Sequence, residues 1–187
     1  MLRDYKFDDA NKFSGDIMKK EQFANVPRLL CWRGKVLIYT GADVIGKNNL
    51  QRAMSYDPDL KECLQVIKML KKVNTMKEEA AAVFKAGNYS EAIERFQECL
   101  AVDEFNAAMN ATISLNIAIC YKKLDPPQND MAMKSLNQAI KYNPKYAKAY
   151  IQRGDLFLQM EEYNDAINSY HTASEYDSSG FNVQAKL

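Results

Sequence analysis

The chain has 187 residues, enough for one or two ordinary domains. Lysine and arginine together number 25 against 24 aspartates and glutamates, and this balance argues against a general nucleic-acid surface, which needs a basic excess. Glycine and proline are scarce, at 7 and 5 residues, and this composition predicts an all-helical protein.

The residue types give little support to catalytic or metal sites. The cysteines, at positions 31, 63, 99 and 120, show no C-x-x-C spacing, and His171 is the only histidine. We therefore expect no metal site and no disulfide framework, but reduced thiols packed as small hydrophobic side chains. The sequence contains no glycine-rich phosphate loop, H-E-x-x-H or G-x-S-x-G motif. An enzyme, a cofactor and a small-molecule substrate are therefore not predicted.

Membrane insertion and secretion are not predicted either. The most apolar stretch, residues 26–45, contains four charged side chains, too many for a transmembrane helix. No apolar run follows the first residues, so no signal peptide is visible. We expect a cytoplasmic protein.

The first predicted element is an amphipathic helix over residues 5–21. We interpret residues 1–26 as the second helix of an incomplete or capping repeat. Residues 27–60 predict a divergent but complete helix pair, with a turn at 41–43 and Pro58 after the second helix. Gly46 occupies the position at which the other three predicted pairs carry alanine, namely Ala92, Ala132 and Ala166. Trp32, the only tryptophan, either packs on a neighbouring helix or contacts a partner.

The next stretch interrupts the repeat period. Residues 61–72 contain no glycine or proline and keep a helical apolar pattern. They predict a helical linker continuous with the following repeat, in one helix from about Leu60 to about Lys85. Residues 73–106 form the next pair, and Asn88 is predicted to cap its second helix together with Glu91. Residues 111–144 form a further pair, whose loop is two residues longer than the repeated pattern requires.

The last pair, residues 147–180, shows the repeated pattern most clearly. Tyr150 is followed at fixed steps by Gly154, Phe157, Ala166 and Tyr170. The small residues fall where two helices cross closely, and the aromatic residues fill the gaps beside the crossings. One such pair cannot bury its own apolar face, so copies must stack beside it. Residues 181–187 predict the start of a truncated capping helix.

These residues resemble a tetratricopeptide-repeat array from Tyr5 to Leu187. The array is similar to the repeat region of DnaJ-type co-chaperones in residues 51–58 (QRAMSYDP), in residues 77–79, in the turn at 85–89 and in residues 148–150. The resemblance implies a right-handed superhelix of antiparallel helix pairs, an all-α solenoid. A J domain needs a His-Pro-Asp triplet, and His171 is followed by Thr172, so this chain contains no J domain.

The resemblance also implies a candidate binding site. In such repeats five side chains, the carboxylate clamp, hold the acidic C-terminal tail of Hsp70 or Hsp90. Three of them are matched here by Lys77, Asn116 and Lys148. The other two, an asparagine and a basic residue, are replaced by Ala81 and Gln152. Arg153 is adjacent to Gln152, but it points about 100° away around a helix.

Two hypotheses of function remain open at this stage. The first is a non-catalytic co-chaperone adaptor that docks the Hsp70 or Hsp90 tail in the groove of the last three repeats. The second is a scaffold, or a solenoid that binds unfolded substrates, with a degraded clamp. The losses at Ala81 and Gln152 favour the second hypothesis, and so do the apolar residues Val83 and Ile117, which are expected to line the groove.

Overall fold

A computed structural model describes residues 7–176 of the chain. Within this range the chain forms nine α-helices, one short 3₁₀ helix at Glu21–Phe23 and no strand. The α-helices are α1 Phe7–Met18, α2 Pro27–Tyr39, α3 Asp43–Tyr56, α4 Lys61–Lys85, α5 Tyr89–Leu100, α6 Ala107–Lys123, α7 Asn129–Tyr142, α8 Ala147–Gln159 and α9 Tyr163–Tyr176. The predicted all-α class is confirmed.

The helix boundaries follow the predicted elements closely in the middle of the chain. The continuous helix expected from about Leu60 to about Lys85 is confirmed as the 25-residue α4. The first helix is shorter than the predicted 5–21, because the chain leaves α1 after Met18 and turns into the 3₁₀ helix. The capping helix predicted at 181–187 and residues 177–180 of the last repeat lie outside the described residues. None of the helices in 7–176 has the length and apolarity needed to cross a bilayer.

The described residues fall into two compact units. The first comprises residues 7–75 and 102–109, and the second comprises 76–101 and 110–176. In the first unit, a core of apolar side chains from α2, α3 and the start of α4 includes Leu30, Ile38, Leu50 and Cys63. In the second unit, Tyr150, Ala166, Tyr170 and Ala173 form a core between α8 and α9. Each core has its small residues at the repeat positions where the sequence predicts helix crossings.

Two glycines explain how closely α2 and α3 approach each other in the first unit. A Cβ atom added to Gly46 would lie 2.8 Å from the carbonyl oxygen of Gly34 and 2.5 Å from the Cγ1 atom of Ile38. Real Cβ atoms do not come this close to a backbone oxygen, so this crossing excludes even alanine. The glycine at position 46, where such repeats usually carry alanine, therefore follows from a tighter crossing.

A buried hydrogen bond joins the segment 102–109 to α2 within the first unit. The Tyr39 hydroxyl donates to the Asp103 carboxylate, and both residues are at most 7% exposed. The other oxygen of Asp103 accepts the backbone N–H of Phe105 at 3.1 Å. Burial, and then the bond to Asp103, raise the pKa of Tyr39 well above its usual range, so this hydroxyl stays a donor.

All four cysteine side chains are buried reduced thiols, which confirms their predicted packing as small hydrophobic residues. Burial is the main cause that raises the pKa of the Cys31 thiol to about 12, with the neighbouring Cys63 as the next cause. Burial likewise raises the pKa of Cys120 to about 11. These thiols are therefore protonated and unreactive in the folded chain.

Three of the four turns between paired helices share one backbone conformation. Gly41, Gly87 and Glu161 follow α2, α4 and α8 with φ angles of 90°, 85° and 62°. After each helix the residue following this turn residue donates its N–H to a carbonyl five residues back, as Glu162 does to Phe157 at 2.9 Å. This is the Schellman arrangement, which favours glycine because other L-residues are strained at positive φ.

Glu161→Gly is expected to stabilise the chain by about 0.5–1 kcal/mol, because glycine relieves the left-handed strain at a small entropic cost. Thermal unfolding followed by circular dichroism measures the change. Glu162→Gly is the matched control, since its backbone φ is not positive, and it should be neutral or destabilising. Equal effects of the two substitutions would contradict the strain explanation.

The helix cap predicted at Asn88 is wrong. Asn88 does precede α5, but its side chain makes no capping hydrogen bond. Its backbone angles of φ −84° and ψ 70° differ from the extended conformation that aims an N-cap side chain at the first N–H groups of a helix.

Candidate peptide-binding site

The five residues of the predicted site all lie in the second unit. Lys77 is on α4, Asn116 is on α6, and Lys148, Gln152 and Arg153 are on α8. These are the first helices of three successive helix pairs. The site therefore combines one or more side chains from each pair, which no single pair could supply.

The three residues that match the clamp differ in exposure. The Lys148 side chain is exposed, and Lys77 and Asn116 are partly exposed. Each of them thus presents a donor group to solvent: an ammonium group from each lysine and an amide from Asn116. A ligand with carboxylate oxygens is the kind of molecule that these donors suit.

Gln152, at the position of the missing basic residue, is part of a chain of hydrogen bonds. Its Oε1 atom accepts from Lys122 Nζ at 3.1 Å, and its Nε2 atom donates to Asp155 Oδ2 at 3.2 Å. The other oxygen of Asp155 accepts the Tyr170 hydroxyl at 2.7 Å. Gln152 is therefore held in place, and a cation from α6 stands beside it.

Sequence reasoning missed Lys122. It lies at the end of α6, 30 residues before Gln152, and the clamp pattern assigns no role to that position. No spacing rule within one helix connects the two residues. Lys122 could be found only from the packing of α6 beside α8, and the sequence pattern does not show which side chains meet there.

The structure does not place Arg153 in the role of the missing basic residue. Its Nε atom donates to Ser169 on α9 at 3.2 Å, and its guanidinium carbon lies 5.0 Å from the centre of the Tyr150 ring. Arg153 therefore packs between α8 and α9, away from Gln152. The 100° separation expected from helical geometry agrees with this placement.

The expectation that Ile117 lines an apolar groove is wrong, because this residue is 5% exposed and belongs to the core. Val83 is partly exposed. His171 is on the surface and lies 3.4 Å from the Glu175 carboxylate. Among residues 7–176, no group of three or more potential metal ligands comes together.

Comparison with known proteins identifies the class of fold that these helix pairs form. A family model described as "Tetratricopeptide repeat" matches residues 147–179, the stretch that contains α8 and α9. The fold is that of a tetratricopeptide-repeat protein, of the all-α solenoid class. The chain is similar to "DnaJ homolog subfamily C member 7 homolog" of Dictyostelium discoideum, with 29% identity over 161 residues. The match covers 86% of this chain and 30% of that relative, so the chain spans about a third of the relative's length.

Two solved structures show the same fold. The crystal structure of the P58(IPK) TPR domain aligns with a TM-score of 0.65 and 18% identity, covering 100% of this chain and 51% of that one. The second TPR domain of human RPAP3, solved by NMR in complex with the HSP70 peptide SGPTIEEVD, aligns with a TM-score of 0.54 and 26% identity. That match covers 64% of this chain and 94% of the RPAP3 domain.

Proposed function

We propose that this chain is a non-catalytic protein-interaction module of a cytoplasmic co-chaperone, which binds the acidic C-terminal tail of Hsp70 or Hsp90. The observation that carries the proposal is the placement of Lys77, Asn116 and Lys148 on the first helices of three successive pairs in one compact unit. Each occupies the corresponding clamp position of its own repeat.

The chemistry of such a tail suits these donors. A peptide that ends in acidic residues presents its terminal carboxylate and side-chain carboxylates close together. Charge-assisted hydrogen bonds to these oxygens contribute roughly 1.5–3 kcal/mol each. Lys122 places a further ammonium group within 3.1 Å of Gln152, and we propose that it offsets part of the loss of the fifth clamp residue.

The structural neighbours support this choice of partner. The RPAP3 domain that resembles this chain is bound to an HSP70 peptide ending in EEVD, and the relative from Dictyostelium is a DnaJ homologue. We propose the same class of ligand here, with a weaker affinity. The loss of two clamp contacts would make the binding free energy less favourable by roughly 2–4 kcal/mol, before any contribution from Lys122.

The alternative function is a scaffold or a solenoid that binds unfolded substrates. One observation favours it: both polar atoms of the Gln152 amide are already bonded, to Lys122 and to Asp155. A ligand would have to displace one of these bonds to use Gln152. The alternative predicts binding that does not depend on a free C-terminal carboxylate.

A peptide titration separates the two functions. A fluorescent peptide ending in Glu-Glu-Val-Asp should bind the purified chain in the low micromolar range, and the same peptide amidated at its C-terminus should not. Lys148→Ala should weaken binding by about tenfold or more, because an ammonium-to-carboxylate bond is lost. Lys145→Ala is the matched control, since this exposed lysine precedes α8. Binding that is insensitive to amidation, or no binding at all, would exclude the clamp.

A further inference from the structure

A second groove lies entirely within the first unit. It is a cleft of about 510 Å³ between α2 and the first half of α4. Trp32 and Val66 contribute to its walls, and Lys35 and Met69 lie one helical turn further along each helix. Trp32 is 40% exposed, which is unusual for the largest apolar side chain of the sequence. We call this cleft the Trp32 groove.

The residues that face each other across the Trp32 groove are one repeat length apart, although Val66 and Met69 belong to the helical linker. Trp32 and Val66 are 34 residues apart, and so are Lys35 and Met69. Counted from residue 27, Trp32 and Lys35 are at positions six and nine of their repeat. Asn116 is at position six of the repeat that begins at residue 111. Position six, which carries Asn116 in the second unit, therefore carries Trp32 in the wall of a cleft in the first.

The two helices that line the Trp32 groove carry an excess of positive charge, although the whole chain is nearly neutral. Helix α2 carries three cationic residues and no acidic one. Residues 61–75 of α4 carry four lysines and a single acidic residue, Glu62. Glu62 is paired with Arg28 at 2.9 Å across the cleft. Its charge is thus largely compensated. Lys61, Lys68 and Lys72 lie on the side of α4 next to the lining residues, whereas Lys71 lies on the opposite side. Two aspartates, Asp57 and Asp59, precede the lining residue Leu60.

Some of these cations lie beside the Trp32 groove and others are turned away from it. Arg33 is turned away, since it donates to the Asn11 carbonyl and to Ser14 on α1. Lys35 lies on the groove wall, with its ammonium group 5.2 Å from the centre of the Tyr39 ring. On α4, Lys72 continues the stripe of Met69 at a spacing of three residues. Cations thus border an apolar floor.

We propose that the Trp32 groove binds an acidic linear peptide segment with an apolar anchor. The anchor side chain packs on Trp32, Val66 and Met69, and flanking carboxylates lie toward Lys35 and the lysines of α4. Tryptophan and methionine suit such a surface, because exposed tryptophan often dominates binding energy and methionine adapts its shape. The site goes beyond the proposed tail-binding function and does not depend on it. It also differs chemically, since the asparagine that would hold a terminal carboxylate is absent.

The test uses the full chain and a synthetic peptide as a probe. The probe is a C-terminally amidated peptide with one phenylalanine and one leucine flanked by aspartates and glutamates. Trp32 is the only tryptophan, so its emission reports directly on the groove. We expect a saturable change in Trp32 emission, and an affinity that falls as salt concentration rises, because the flanking charges are screened.

Matched peptides and variants decide the outcome. Replacing the acidic residues of the probe by lysine, or its two apolar residues by serine, should reduce affinity by about tenfold or more. Met69→Ala and Lys35→Glu should do the same, measured with a fluorescein label on the probe. Val44→Ala is the control, since Val44 is an exposed apolar residue of α3 in the same unit. Trp32→Ala completes the set if circular dichroism shows that it folds.

Several results would overturn the proposal. They are no emission change, equal weakening by Val44→Ala, or equal binding of the acidic and the lysine peptides. The last result would indicate capture of unfolded chains in general. Lys148→Ala should leave binding of the amidated probe unchanged. A failure in the Trp32 groove and a failure of tail binding are therefore measured with different peptides and different variants.

Discussion

Ala81→Asn combined with Gln152→Lys is expected to increase affinity for a peptide ending in Glu-Glu-Val-Asp by about thirtyfold to several hundredfold. The double substitution restores the two clamp residues that this chain lacks. The two restored contacts together contribute roughly 2–4 kcal/mol, less than the sum of two full charge-assisted bonds, because water already binds these exposed groups in the free protein. Fluorescence anisotropy with free-acid and amidated peptides measures the gain, which should be absent for the amidated peptide.

The two substitutions should contribute unequally. Ala81 is partly exposed on α4, so an asparagine there adds a new amide. A lysine at position 152 would instead replace the glutamine that bonds Lys122 and Asp155, and it would stand beside an existing ammonium group. Ala82→Asn, at the exposed neighbouring position, is the control. An equal gain from Ala82→Asn would show that the added amide does not act through the clamp.

Gly46→Val is expected to destabilise the first unit by at least about 2 kcal/mol. The nearest atoms to an added Cβ include the Gly34 carbonyl oxygen at 2.8 Å and the Ile38 backbone nitrogen at 3.0 Å. Backbone atoms cannot rotate away as a side chain can, so α2 and α3 would have to separate. Urea unfolding followed by Trp32 emission measures the change in the free energy of unfolding.

The exposed neighbour Lys47 provides the control for this prediction. Lys47→Val introduces the same side chain into α3 on its solvent-facing side, and it should change the free energy of unfolding by no more than about 0.5 kcal/mol. If both valine variants unfold at the same urea concentration, the tight crossing does not determine the stability of the unit.

The helical pattern was largely predictable because it rests on local chemistry. Residues 61–85 contain no glycine or proline, so nothing in them ends a helix, and α4 runs through the point where the repeat period breaks. The interruption of α1 after Met18 was not predictable in the same way. The apolar stripe ends at Met18, but Lys19, Lys20 and Glu21 are good helix formers, so no residue type marks the end of α1.

The helix that carries each candidate site residue was predictable, but the contacts of these residues were not. Repeat register places Lys77, Asn116 and Lys148 on three first helices, because each position is counted within one helix pair. The bond of Gln152 to Lys122 and the bond of Arg153 to Ser169 depend on neighbouring helices, and spacing within one helix carries no information about them. For Trp32 the sequence left packing and partner contact open, and its 40% exposure beside a cleft favours contact with a partner.

The distribution of the buried thiols gives this chain a built-in way to measure local opening. Cys31 and Cys63 belong to the first unit, and Cys99 and Cys120 belong to the second. Each is shielded in the native state, so a reagent such as iodoacetamide reacts only with molecules that have transiently opened around that thiol. Peptide mass spectrometry of four alkylation rates would then give an opening free energy for each unit without any substitution. Because repeat proteins distribute their cooperativity between neighbouring repeats, equal rates would mean that the units open as one, and unequal rates would rank them.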